Sequence, residues 1–97
     1  NQVNNVLVFP GIFRGAIDCH ASDISEGMKL AAARAIADVA KQDGLREDDI
    51  LPEAFDHRVT IAVAAAVAEA AAKEGIAGNP LTYEEEAAKA EAFVKEV

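Results

Sequence analysis

Asn4-Asn5-Val6-Leu7-Val8-Phe9-Pro10-Gly11 is the stretch on which the fold turns. Val6–Phe9 is a continuous apolar run with β-branched and aromatic members, bounded by amides on one side and Pro-Gly on the other. A strand buried on both faces, as in a parallel sheet, has this composition. No second run like it follows, and one strand makes no sheet. Its pairing partners are therefore expected outside these 97 residues. The two asparagines on its approach are also unusual. Asn is a poor strand former, and a buried amide without partners costs about 1–3 kcal/mol. A polar cleft lined by Asn4 and Asn5 would account for them. The absence of an initiating methionine before Asn1 agrees with a piece of a longer chain.

Downstream of Pro10-Gly11 the pattern turns helical. Pro suits a first turn, and Ile12, Phe13, Ala16 and Ile17 fall on one side of a short helix reaching Cys19. Gly15 permits close approach of another backbone. Ser25 is the expected N-cap of a second helix, with Glu26 in its first turn. Met28, Ala32, Ala35, Ile36 and Val39 form its apolar stripe, and Gly44-Leu45 its end. Leu45–Phe55 reads as a loop, and Asp56 as the cap of a third helix running to about Glu74. In that helix Val59, Val63 and Val67 recur every fourth residue and alanine fills the rest. Gly75-Ile76 repeats the glycine cap. Thr82 and Glu85 spell a capping box for a last helix. Its apolar face is read as Tyr83, Ala87, Ala90, Val94 and Val97, with surface pairs Glu85–Lys89 and Glu91–Lys95. The fold class is thus an α/β fragment, mostly α-helical: three longer helices, one short helix, and one N-terminal strand belonging to a larger parallel sheet.

Composition narrows the functions. The formal net charge is −8, from 17 acidic and 9 basic residues. No Lys/Arg cluster could neutralise phosphates, which speaks against nucleic acid or an anionic membrane as partner. A single cysteine cannot form an internal disulfide, and the chain reads as cytoplasmic. The apolar fraction is 52%, but much of it is alanine, and there is no Trp. Alanine buries little area, so these helices are expected to need a further surface.

Chemistry-bearing motifs are sparse. GxGxxG, P-loop, CxxC and HExxH are all missing. His20 reads as a solvated turn residue, His57 as a surface residue near a helix start, and Cys19 as a small buried hydrophobe. Arg46–Asp49 reads as a solvated loop. Arg14 has two readings: a guanidinium holding a substrate carboxylate, or an ion pair with Asp18 four residues on. The second is favoured.

The run Asn1-Gln2-Val3-Asn4-Asn5-Val6-Leu7-Val8-Phe9-Pro10-Gly11-Ile12-Phe13-Arg14-Gly15-Ala16-Ile17-Asp18 resembles the malic enzyme family in its bacterial form. Residues 26–37 resemble that family's next helix. Ile50-Leu51-Pro52 and Phe55–Val59 resemble the loop and helix after it. The likeness covers residues 1–76; residues 77–97 match nothing nameable. It implies the C-terminal part of an enzyme that oxidatively decarboxylates malate to pyruvate and CO2, using NAD or NADP and Mg2+ or Mn2+. The metal ligands, the acid–base pair and the cofactor loop are implied to lie upstream, so no catalytic, cofactor or metal residue falls in this segment. Residues 1–5 are implied to be the inter-domain cleft segment, where Asn4 or Asn5 meets malate. Residues 6–97 would be the strand and helices of the catalytic domain. The implied partners are malate or pyruvate, the remainder of the enzyme chain, and further copies in a homo-oligomer. Two alternatives remain: a malolactic-type relative, and a free-standing helical module that self-associates through alanine faces.

Overall fold

The computed structural model describes residues 11–43 and 52–95. The Val6–Phe9 strand, Asn4, Asn5, the Gly44-Leu45 helix end and the Arg46–Asp49 loop lie outside the described residues. Among the described residues four helices follow in order: α1 over residues 11–18, α2 Glu26–Asp43, α3 Pro52–Glu74 and α4 Tyr83–Lys95. Among the described residues the only β-pairing is an isolated antiparallel bridge between Ala21 and Ala77.

The long helix α3 forms the axis of the packing. Val59, Val63 and Val67 are fully buried, and so are Ala64, Ala65, Ala68 and Ala71. The alanines matter because they let three helices approach one. On one side α2 runs antiparallel to α3 and buries Met28, Ala32, Ala35 and Val39, as its stripe predicts. The Glu74 carboxylate at the end of α3 stands over Gly27 in the first turn of α2. A negative group there is favourable at the positive end of the helix dipole.

Ser25 caps α2 as expected: Met28 N donates to Ser25 Oγ at 3.1 Å. Thr82 and Glu85 form a complete capping box. Glu85 N donates to Thr82 Oγ1 at 3.0 Å, and Thr82 N to Glu85 Oε1 at 2.9 Å. The Glu85 carboxylate is thereby engaged by the cap, and the ion pair expected with Lys89 is not formed. Lys95, of the other expected pair, and Val97 fall where no side chain is described.

The beginning of α3 corrects the sequence reading. The helix starts at Pro52, so Phe55 is helical rather than loop and Asp56 lies inside the helix instead of capping it. Proline has no N–H to leave unsatisfied and its φ suits the first turn. His57 is exposed, as expected, but sits in the second turn rather than at the helix start.

The end of α3 fulfils its expectation. Gly75 takes φ 76°, and Ile76 N donates to Ala71 O at 3.1 Å, the long bond of a Schellman cap. The same motif ends α1, with His20 at φ 53° in the glycine place and Ala21 N donating to Ala16 O at 2.9 Å. His20 is exposed in a turn, as read. The two caps lie side by side. Ser22 N donates to Ile76 O, Gly78 N to His20 O and Asn79 N to Cys19 O, at 2.8–3.0 Å.

Candidate functional site

α1 crosses α3 through its glycines. A Cβ added to Gly15 would stand 2.5 Å from the Ala64 carbonyl oxygen, and one added to Gly11 would stand 2.7 Å from the Val63 side chain. The close approach anticipated at Gly15 is therefore present, against the α3 backbone. The buried edge of α1 is Gly11, Ile12, Gly15 and Cys19, not the face expected from Ile12, Phe13, Ala16 and Ile17. Phe13 and Ile17 are more than half exposed. Glycine carries no hydropathy signal, so the larger side chains misdirected the assignment of the face.

Cys19 is fully buried, its thiol directed to Ala16 O at 3.7 Å. Burial, with the Glu86 carboxyl nearby, pushes the thiol pKa up. It is the small buried hydrophobe the sequence suggests rather than a nucleophile.

The other flank of α1 meets α4 through charge. Arg14 holds Asp18 bidentately, its Nε donating to Oδ2 at 3.1 Å and its second fork nitrogen to Oδ1. The favoured reading of Arg14 thus stands. The guanidinium also lies over the Phe93 ring, 4.9 Å from its centroid. Beside this pair sits Glu86, to which the sequence reading gave no role. It is fully buried, and neither carboxylate oxygen has a hydrogen-bond partner. Burial first, then Asp18, pushes its carboxyl up to about 8. The signal for it was a short period: Glu86, Ala90 and Val94 recur every fourth residue and are all buried. Tyr83, placed on the apolar face by the sequence, is 37% exposed.

An open groove of about 620 Å3 runs between α2 and α3, with Tyr83 at its edge. Its floor is alanine, and Arg34, Asp38, Arg58, Glu69 and Lys73 stand along it. Among the described residues no group of three His, Cys, Asp or Glu side chains could hold a metal ion. The resemblance implies metal ligands upstream of this segment. Among the same residues no helix is long and apolar enough to cross a membrane.

The origin of these helices is clear from similarity. Residues 1–72 match the family described as malic enzyme, NAD binding domain. The chain belongs to the malic enzyme family. It is 54% identical over 89 residues to the bifunctional malic/malolactic enzyme of Bacillus subtilis (strain 168), covering 92% of this chain and 22% of that protein. It is 57% identical over 77 residues to the NAD-dependent malic enzyme of Geobacillus stearothermophilus, covering 79% of this chain and 16% of that protein. With the NADP-dependent malic enzyme of Escherichia coli (strain K12), identity is 44% over 95 residues, 84% of this chain and 12% of the relative. The chain spans between about an eighth and a quarter of the length of these relatives. No solved structure matches it.

Proposed function

We propose that this chain is the C-terminal part of a malic enzyme that oxidatively decarboxylates malate to pyruvate and CO2. NAD or NADP would accept the hydride, and Mg2+ or Mn2+ would be bound by ligands outside this segment. The observation that carries the proposal is the 54–57% identity to bacterial malic enzymes along most of the chain. The proposed parent is a cytoplasmic homo-oligomer. Residues 1–5 form the inter-domain cleft segment, and residues 6–97 the strand and helices of the catalytic domain.

Asn4 and Asn5 are the proposed substrate contacts. An amide donates to a malate carboxylate or hydroxyl through its NH2 and accepts through its C=O, and it stays neutral at any working pH. It can orient malate without competing for the reacting proton. Removing it would loosen the reactive geometry and leave a substrate polar group unpaired in a closed cleft. In the full-length enzyme, Asn4→Ala or Asn5→Ala is expected to raise the malate KM. The same changes should lower kcat/KM by about ten- to several-hundred-fold, equivalent to ~1.4–3 kcal/mol. Mutants that lose thermal stability but keep the parental malate KM would show that the amides only tie down the strand entry.

The test of the activity itself is malate-dependent reduction of NAD or NADP by the full-length gene product with Mn2+, coupled to CO2 release. No malate turnover of either kind would overturn the proposal. A second reading, malolactic conversion, draws on the name of the Bacillus subtilis relative. Lactate as product without net cofactor reduction would select it. The 97-residue chain alone is expected to be inert in both assays, because the sequence supplies no general base or phosphate-binding loop.

A further inference from the structure

We infer that Asp18 and Glu86 hold one proton between them, and that this proton fastens α4 to α1. The argument starts from charge balance. Arg14 is paired with Asp18 and lies over Phe93 of α4, and both charges act on the buried Glu86 of the same helix. Arg14 brings one positive charge, and its fork is committed to Asp18. Glu86 is closed to solvent with both oxygens unpartnered. As a carboxylate it would be a second buried anion facing Asp18 with no donor directed at it. An arrangement of that kind is costly, and two carboxyl groups sharing a site do not both ionise. Protonated, Glu86 becomes a donor and Asp18 supplies the acceptor. One proton then satisfies the orphaned group and links two helices that are distant in sequence.

The surroundings favour the same arrangement from each side. From α1, Asp18 holds the Glu86 proton on and Arg14 opposes it. On α4 itself Lys89 also opposes it, and burial outweighs both cations. Cys19, at the end of α1, feels the Glu86 carboxyl but is itself held protonated by burial. The direction of the pH dependence follows. Free glutamate releases its proton near 4.5, whereas the folded chain keeps it to about 8. Between those values the folded state binds more protons than the unfolded state, so stability falls as pH rises. Docking of α4 is firmest in acid, weakens through neutrality and is weakest above pH 8.

The experiment is carbon-detected NMR of the side-chain carboxyls in the full-length protein, isotope-labelled in Asp and Glu, with Glu86 assigned by its loss in Glu86→Gln. The expected result is a Glu86 Cδ that titrates well above the other glutamates, with a step in the Asp18 Cγ shift at the same pH. Amide protection in α4, corrected for intrinsic exchange, should be at least about ten-fold higher at pH 6 than at pH 9. Glu86→Gln should abolish that difference, because its NH2 replaces the proton as donor to Asp18. Asp18→Asn is the second probe: its NH2 donates to an ionised Glu86, whose titration should drop towards the ordinary glutamate range. A Glu86 Cδ that titrates with the other glutamates in the parent chain would overturn the inference. So would the same pH-dependent loss of protection in Glu86→Gln.

Discussion

One short helix, α1, packs on its two neighbours by opposite means. Against α3 it offers Gly11 and Gly15, and the contact is close because side chains are missing. Against α4 it offers Arg14 and Asp18, and the contact is specific because charged side chains find Phe93 and Glu86. The first contact depends on volume and is indifferent to pH. The second tolerates some change of shape but depends on which groups carry protons. A helix of two turns can thus carry a fixed joint on one flank and an adjustable one on the other.

The largest effect should come from the fixed joint. Gly15→Ala puts a methyl group against the Ala64 carbonyl, a backbone atom that cannot rotate away. A loss of about 3 kcal/mol is expected, at the upper end for overpacking, and equal at pH 5 and pH 8. Chemical denaturation at the two pH values checks it, and a clearly unequal loss would mean that the two flanks are coupled. Next comes the adjustable joint. Arg14→Met leaves Asp18 and Glu86 without their cation and frees nothing in the glycine contact. Proton affinity of the pair should rise further, so stability is spared near pH 4.5 and lost above it. The expected cost near neutrality is about 1–2 kcal/mol, in keeping with the loss of a charge-assisted pair. Smaller again is Thr82→Ala. It removes the side-chain half of the capping box at the start of α4 and should cost about 1 kcal/mol at every pH, since no proton is involved. Phe93→Leu keeps apolar bulk but removes the ring beneath Arg14. A loss of roughly 0.5 kcal/mol is expected, readable as a small drop in thermal midpoint.

The features legible in the sequence were those set by local chemistry. Ser25, Thr82 with Glu85, and Gly75 each act on backbone groups within a few residues, so the residue type announces the structure. The valines of α3 repeat often enough to declare a buried stripe. Where local signals competed, the stronger-looking one misled: Asp56 drew the helix start away from Pro52. His20 hid a Schellman cap because the usual mark of that cap is glycine. Glu86 was the hardest to see. It closes the run Glu84-Glu85-Glu86, which reads as an ordinary acidic first turn, and only packing against α1 separates it from its neighbours. The family resemblance was carried mainly by the opening eighteen residues, and the identity to malic enzymes agrees with it. The substrate role proposed for Asn4 and Asn5 rests on that resemblance.

The paired ends of α1 and α3 set a rule about length. Ser22, Gly78 and Asn79 bond across the joint through peptide groups alone, around the Ala21–Ala77 bridge. Peptide groups are common to nearly every residue, so most substitutions on these two turns leave the bonds intact. A residue inserted or deleted in either turn shifts the donors against the acceptors and also displaces the caps that end both helices. The joint therefore works as a spacing gauge: away from the left-handed positions Gly75 and His20 and the close contact at Gly78, it is permissive about which amino acids occupy it and strict about how many there are.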